Sequence, residues 1–262
     1  MSKLLPLIAL LALIAAPAHG QMIKASDFEV RAGGEAAYLP DYLGSDESEL
    51  TFVPDVEVVY QKHAYLSSQY GAGIYLFNEG NTRLGLGVGP DFGRDEGSNS
   101  HLRGLGDVDF GWDLNAFIDA NFDPFLVGFA VSHEFANGSG GTLVNGYVGY
   151  REGLTERLTG TLKLSSTWTD GDRNMAYYGV TAAQAASSGL TAFVADDGVR
   201  DVTLSTGLVY AYNKNIDFTG TARWTRLMGD TADSPVTQDK DQVVLLLGAT
   251  YNFPAKRWQP PK

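Results

Sequence analysis

The sequence contains no cysteine, and this absence excludes several kinds of protein at once. Without cysteine there is no disulfide framework, no thiolate metal site, no thiol nucleophile and no lipoprotein anchor. Histidine is nearly as scarce: His63, His101 and His133 lie far apart and form no metal-binding pair of the HExxH kind. The sequence therefore predicts neither a metal nor a cofactor.

Long hydrophobic runs are also missing after the first 20 residues, where no stretch of 18 apolar residues occurs. The sequence thus predicts no transmembrane helix. Residues 1–20 are typical of a secretory signal peptide, because Lys3 supplies a positive charge ahead of an apolar run that ends in small residues. Cleavage is predicted after Ala18 or after Gly20.

Positive charge is the third scarcity. The 19 lysines and arginines face 31 aspartates and glutamates, which gives a formal net charge of −12. Since no basic stripe is present, nucleic acid is excluded as a partner. Acidity alone predicts only solubility or an attraction for cations, and it names no function.

Alternation of apolar and polar residues is what the sequence has in abundance, and it is clearest near the C-terminus. Every second residue from Val243 to Phe253 is apolar, whereas the intervening row includes Gln242, Thr250 and Asn252. Lipid provides no partners for free backbone groups, so strands of about 9–11 residues with one apolar face survive in a bilayer only within a closed barrel. Segment 242–253 therefore predicts an outer-membrane strand.

Similar segments recur, and the connections between them alternate between short and long, with the link near Tyr70 as the one exception. Short links are predicted at 61–63, 78–80, 121–123, 153–156 and 213–215, and longer ones at 40–49, 93–105, 135–141, 170–197 and 229–241. About twelve strands are predicted, at 28–39, 50–61, 64–69, 71–78, 81–92, 106–120, 124–134, 142–151, 157–169, 198–212, 216–228 and 242–253.

This pattern predicts an all-β fold, a closed antiparallel transmembrane β-barrel over residues 21–253, with short periplasmic turns and longer extracellular loops. The predicted location is the cell outer membrane, and the predicted partners there are membrane lipid, lipopolysaccharide and the barrel assembly machinery.

The same alternation predicts which ionisable side chains point into the barrel. The predicted lumen-facing residues are Glu35, Asp55, Glu57, Asp109, Asp113, Asp119, Lys163, Asp217 and Arg223. Two interpretations remain open. Acids and bases either cross-brace a plugged lumen, or line a narrow water path that favours cations because acids are in excess.

No enzyme is predicted. Ser132, His133 and Glu134 are consecutive, so on a strand their side chains alternate between faces and cannot form a catalytic triad. The glycine-rich run 85–89 lies inside a predicted strand, where it indicates close packing or a bend. Helix-forming residues at 180–190 predict a short helix that packs over the barrel mouth as a lid or partner surface.

Several motifs, met in order between residues 28 and 253, carry a resemblance to a known family. They are YLPDYLGS at 38–45, GRDE at 93–96, LRGLGDVD at 102–109, YGVTAAQA at 178–185, SGL at 188–190, GDTADSP at 229–235 and YNF at 251–253. The chain resembles the MipA/OmpV family, the MltA-interacting proteins of Gram-negative outer membranes.

This resemblance implies a non-enzymatic barrel with no catalytic residues. The role proposed in the family is a scaffold that brings a lytic murein transglycosylase together with a murein synthase in cell-wall growth. The alternatives are a narrow, cation-preferring pore for small solutes and a surface adhesin.

One feature departs from the family pattern: the chain continues beyond Phe253 as a short tail, 254–262, with three positive charges. This periplasmic tail is either a harmless extension or a contact for murein or a periplasmic partner.

Overall fold

A computed structural model describes residues 27–253, so the predicted signal peptide and the tail at 254–262 lie outside the described residues. Within this range, twelve antiparallel strands close into a barrel in which each strand pairs with its chain neighbours and the first pairs with the last. The predicted fold class and strand number are confirmed. None of the helices in residues 27–253 is long and apolar enough to cross a bilayer.

The strands are mostly 9–14 residues long, with one short exception, the third. They are β1 Phe28–Pro40, β2 Ser48–Tyr60, β3 Ala64–Ser67, β4 Gly71–Glu79, β5 Thr82–Asp91, β6 Gly111–Phe122, β7 Phe125–Ala136, β8 Thr142–Gly153, β9 Leu158–Thr169, β10 Gly198–Ala211, β11 Ile216–Leu227 and β12 Asp241–Phe253.

The two faces of each strand follow the period-two pattern. On β12, Leu247 is 71% exposed towards the lipid side, whereas its neighbour Leu246 points inward and is 8% exposed. Thr250, on the inward row with Leu246, is buried. In a membrane barrel, lipid contacts the apolar row of each strand, so this row lies on the outer surface and the mixed row faces the interior.

The start of β6 differs from the prediction. A strand at 106–120 was expected, but β6 begins at Gly111. Gly104 and Gly106 adopt positive φ angles, which turn the chain within the loop, and Val108 forms an isolated bridge with Arg94 of the same loop. Residues 106–110 therefore continue the apolar–polar alternation of β6 although they belong to the preceding loop.

Three α-helices lie in the outer loops: α1 Gly171–Tyr178, α2 Ala182–Ser188 and α3 Gly229–Asp233. The predicted helix at 180–190 corresponds to α2. Thr181 and Gln184 form a capping box at its start, and Gly189 ends it with φ +79°. The sequence reading missed α1, whose N-cap is Asp170, and α3.

The hairpin of β3 and β4 ends part-way up the barrel, and its turn points inward. Tyr70 in this turn stacks on Phe117 of β6, with ring centroids 3.9 Å apart. Gly85 and Gly87 of β5 lie directly beneath the rings of Phe117 and Tyr65, where any side chain would collide. The close packing predicted for the glycine run is confirmed.

Candidate functional site

The outer loops carry their own hydrophobic core above the barrel. Leu102, Leu105, Val180 and Val236 are buried together, and Phe193 packs against them. These residues come from three loops, 92–110, 170–197 and 228–240, which leave the barrel at different positions around its rim. We call this assembly the outer cap.

Hydrogen bonds join loops across the mouth as well. The amide of Gln184 on α2 donates to the carbonyl oxygen of Leu105, and the hydroxyl of Tyr178 on α1 donates to the carbonyl oxygen of Leu43 at 3.3 Å. Asn99 donates to the carboxylate of Glu47 at 3.1 Å. The loops of opposite sides of the rim are therefore held together, as expected of a lid.

Two ionisable groups of the outer cap are strongly desolvated. Burial raises the pKa of the Tyr178 phenol to about 12 and lowers the pKa of the Arg94 guanidinium. Arg94 is 8% exposed and donates from one terminal nitrogen to the carbonyl oxygen of Tyr177. Both groups tie α1 to neighbouring loops.

Below the outer cap, one wall of the lumen carries a chain of ion pairs. Arg31 contacts Asp55 at 3.2 Å and Glu57 at 3.8 Å. Arg83 contacts Glu57 at 3.5 Å and Asp119 at 3.4 Å. Each of these three predicted lumen acids thus faces an arginine, which neutralises much of the negative charge on this wall.

Asp119, at the end of this series of ion pairs, also accepts a hydrogen bond from a tyrosine. The hydroxyl of Tyr147 on β8 donates to Asp119 at 2.8 Å, and the side chain of Lys163 on β9 lies over the Tyr147 ring, 4.4 Å from its centroid. Tyr75 also faces the lumen, and its ring packs edge-on against Phe117. Aromatic groups therefore form a substantial part of the lumen wall.

The opposite wall carries two basic residues that form no close ion pair. Register places Lys163 of β9 opposite Ser205 of β10, and Ser205 opposite Arg223 of β11. Among residues 27–253, no carboxylate lies within 4 Å of Lys163 or Arg223. Glu35 lines the same part of the lumen without an ion pair and accepts a hydrogen bond from Thr219 instead. Two positive charges and one negative charge therefore remain unpaired here, which is the reverse of the cation preference expected from the excess of acids.

The remaining predicted lumen residues are spread along the barrel. Glu35 accepts a hydrogen bond from Thr219 at 3.0 Å, and Asp217 accepts one from Asn252 at 2.8 Å. Asp109 does not face the lumen as predicted. It precedes β6, is exposed, and lies at the outer rim beside the loop 137–141.

Asp113 belongs to a separate cluster just beneath the outer cap. The register of β5, β6 and β7 brings Asp91, Asp113 and Glu134 together, with one oxygen of each within 4.8 Å of the others. Arg173 of α1 pairs with Asp91 and lies 3.8 Å from Asp113. One guanidinium therefore serves two of these three largely buried carboxylates, Asp91 and Asp113.

Hard cations such as Ca²⁺ favour carboxylate oxygens, but in this cluster the guanidinium of Arg173 already supplies a positive charge. Glu134 also accepts hydrogen bonds from the backbone and side chain of Ser139. The cluster thus fixes α1 and the loop 137–141 to the barrel rim. Asp113 was among the predicted lumen residues, but its association with Asp91, Glu134 and Arg173 escaped sequence reasoning because these residues meet only through strand register and one helix.

The lumen between these walls holds a cavity of about 800 Å³. Its lining includes Lys163, Arg223, Tyr75, Phe117 and the β3–β4 turn. A second cavity of about 420 Å³ lies at the periplasmic strand ends, beyond the Arg31–Glu57–Arg83 ion pairs. Arg83 was missed in the sequence, although its inward parity on β5, opposite the outward Leu84 and Leu86, could have indicated it.

No catalytic arrangement forms where the sequence places serine, histidine and glutamate side by side. The hydroxyl of Ser132 donates to Asn115, while His133 is exposed and contacts Thr142 at 3.0 Å. Glu134 is held in the rim cluster. The three side chains serve three different environments.

The chain is similar to known proteins along almost its whole length. It is 26% identical over 267 residues to the MltA-interacting protein of Escherichia coli (strain K12), covering 96% of this chain and 98% of that protein. The counterpart from Shigella flexneri matches to the same extent. Among solved structures, a KdgM porin aligns with 85% of this chain and 99% of its own, with a TM-score of 0.42 and 9% identity.

A family model settles the relationship. The model described as MltA-interacting protein MipA matches residues 32–253, which is nearly all of the barrel. The resemblance carried by the sequence motifs is thereby confirmed. The chain is an outer-membrane β-barrel and belongs to the MipA family of MltA-interacting proteins.

Proposed function

We propose that this barrel lies in the cell outer membrane and acts without enzymatic activity, as a scaffold that holds a lytic murein transglycosylase next to a murein synthase. The observation that carries this proposal is the family match over residues 32–253. The relatives named MltA-interacting protein cover the chain almost end to end, which supports a shared mode of action.

The architecture of the outer side supports this function over an open channel. The outer cap has a buried core and bonds that cross the mouth, so the external end is a closed structure. Murein and its enzymes lie on the periplasmic side, which faces the other end of the barrel. A scaffold needs a stable barrel in the membrane and an accessible periplasmic surface.

The periplasmic turns alone are small for such a role. The turns that follow β2, β4, β6, β8 and β10 contain only a few residues each, whereas a stable interface takes about 800 Å² from each partner. We therefore propose that the segments flanking the barrel, 21–26 and 254–262, add to the contact surface. The tail contributes Lys256, Arg257, Trp258 and Lys262, a composition suited to acidic or glycan surfaces.

The test is crosslinked affinity capture of the chromosomally tagged protein from intact envelopes, followed by mass spectrometry. We expect enrichment of a lytic transglycosylase and a murein synthase relative to an unrelated barrel of the same membrane. A matched variant lacking 254–262 should assemble normally but recover less of both enzymes. Recovery of assembly factors and lipopolysaccharide alone would contradict the scaffold.

A solute pathway is the second candidate, because the lumen holds a cavity of about 800 Å³ with unpaired Lys163 and Arg223 on one wall. These charges favour small anions. In planar bilayers we expect conductance steps only when the outer cap is loosened, for instance by Leu102→Ala, and anion selectivity in those steps. Silence of both the wild type and this variant would exclude the pathway.

A further inference from the structure

One side of the barrel wall is incomplete in its outer half. Strand β3 pairs with β2 only at Glu57–Tyr60, although β2 extends outward to Ser48. On its other side, β2 pairs with β1 along its whole length. Within residues 27–253, the stretch 48–55 of β2 therefore has a strand partner on one side only.

The backbone at this edge shows where pairing ends. The N–H of Val56 donates to the Ser68 hydroxyl at 2.9 Å, and the N–H of Ser68 donates to the carbonyl oxygen of Val56 at 2.9 Å. Alternate residues of a strand direct their backbone groups to the same side, so Pro54 is the next residue on this edge. Proline has no N–H to leave unpaired, and it is a residue used on free strand edges.

The gap has defined borders. The β3–β4 turn lies at its inner end, where Ser68 and Gln69 are exposed. Asn99 of the outer cap closes its outer end by donating to Asp41 and Glu47. On the lipid side β2 presents Leu50 and Phe52, which are 75% and 70% exposed. An opening thus lies beside an apolar surface in the outer half of the wall.

The residues at this gap also line the lumen cavity. Pro54, Val56, Ser68 and Gln69 at the gap line the cavity of about 800 Å³ together with Lys163 and Arg223 on the far wall. This volume falls within the range of about 300–1,000 Å³ that small-molecule sites occupy. Near the gap the lining also includes the apolar side chains of Leu39 and Val53.

Charge determines what such a cavity attracts. Among residues 27–253, Lys163 and Arg223 lack a carboxylate within 4 Å, whereas Asp55, Glu57 and Asp119 on the near wall already face arginines. Ser205 lies between the two basic residues in the strand register and offers a hydroxyl. Glu35, the other charged residue of the lining without an ion pair, is held by a hydrogen bond from Thr219, so positive charge is in excess. The far wall is thus suited to a carboxylate, and the entrance to an alkyl chain.

We propose that the gap beside β2 is a lateral entrance through which a carboxylate with a single alkyl chain passes from the outer half of the bilayer into the lumen, where Lys163 and Arg223 bind its carboxylate. This activity is separate from the scaffold function and requires no murein enzyme. A ligand that enters laterally bypasses the outer cap, which explains how a closed mouth is compatible with an accessible cavity.

The binding test uses the full barrel in phosphatidylcholine nanodiscs titrated with dodecanoate, dodecanol and acetate. We expect saturable binding of dodecanoate and weaker binding of the other two. The double variant Lys163→Gln/Arg223→Gln should bind dodecanoate at least about tenfold more weakly, which is about 1.4 kcal/mol. Lys214→Gln, in a periplasmic turn, removes the same kind of charge elsewhere and should leave binding unchanged.

The entrance is tested separately, and the absence of native cysteine makes this simple. Gln69→Cys labelled with a bulky maleimide should slow dodecanoate association, whereas labelled Lys214→Cys should not. An unchanged association rate for labelled Gln69→Cys would overturn the lateral route. Equal affinity for acetate, or no loss in the double variant, would overturn the proposed ligand and its binding residues. Heat-modified electrophoretic mobility verifies that each variant is folded.

Discussion

The outer cap should loosen without loss of the barrel when its core is truncated. Leu102 is fully buried and packs with Leu105, Val180 and Val236. None of these residues belongs to a strand. The barrel, by contrast, is held by continuous backbone pairing around its circumference, and Leu102→Ala leaves that pairing untouched.

The size of the effect follows from the burial of Leu102. Replacing a fully buried leucine by alanine costs about 2–5 kcal/mol, because transfer free energy is lost and a cavity remains. If the outer cap opens as a unit, the equilibrium constant for its opening should rise by about 30-fold to several thousand-fold. Proteolysis that follows this open population should accelerate by a similar factor.

The assay is limited proteolysis of the refolded barrel in lipid vesicles, with cleavage sites identified in the loops 92–110 and 170–197. Leu154→Ala is the matched control, since Leu154 lies in a periplasmic turn and is largely exposed. We expect rapid loop cleavage in Leu102→Ala only, with the urea midpoint of the barrel unchanged. A shared fall in barrel stability, or loop cleavage no faster than in the control, would refute an independently folded outer cap.

Three further predictions concern charge and hydrogen bonding. Arg173→Gln should destabilise the protein by about 3–5 kcal/mol in urea unfolding, because the largely buried Asp91 and Asp113 lose their cation. Adding Glu134→Gln should restore part of the loss, because it removes the third carboxylate of the cluster. Asp119→Asn should cost about 1–2 kcal/mol in the same assay, because the hydrogen bond from Tyr147 and the ion pair with Arg83 weaken; equal stability would contradict the bracing role. The raised pKa of Tyr178 means that the folded state favours the protonated phenol. The contribution of this phenol to the stability of the outer cap should therefore be complete below pH 10 and decline as the pH rises towards 12. Loop proteolysis measured against pH tests this, and Tyr178→Phe should flatten the profile.

Strand positions were predictable because the membrane enforces a strict rule. On β12, the apolar row from Val243 to Phe253 is the row that the structure exposes, and the intervening row points inward. The rule fails at the rim, where backbone groups have other partners. Asp109 keeps the parity of β6, but the bridge between Val108 and Arg94 takes that segment into the loop, and no local signal in the sequence marks the change.

The charge state of the lumen was beyond sequence reasoning for a different reason. Parity shows that Asp55, Glu57 and Asp119 point inward, and counting such residues gives an acidic lumen. Selectivity depends on which charges remain unpaired, and that depends on strand register and side-chain reach. Arg31 and Arg83 neutralise Asp55, Glu57 and Asp119. The unpaired charges that line the cavity are therefore Lys163 and Arg223 against one acid, Glu35.

The same residues explain why a free strand edge survives on β2. Unpaired backbone groups cost several kcal/mol each in hydrocarbon. A free strand edge there is stable only where a residue has no N–H, where a side chain accepts the N–H hydrogen bond, or where the backbone groups contact water. Pro54 removes one donor, and the Ser68 hydroxyl accepts from Val56. The lumen cavity, lined by Gln69 and Asp55, can supply water to the rest. The edge is therefore stable only because it borders a polar cavity. Ser67→Trp would fill that cavity from the lumen side with a large apolar residue. It should destabilise the barrel more than Phe52→Trp, the matched change on the outward face.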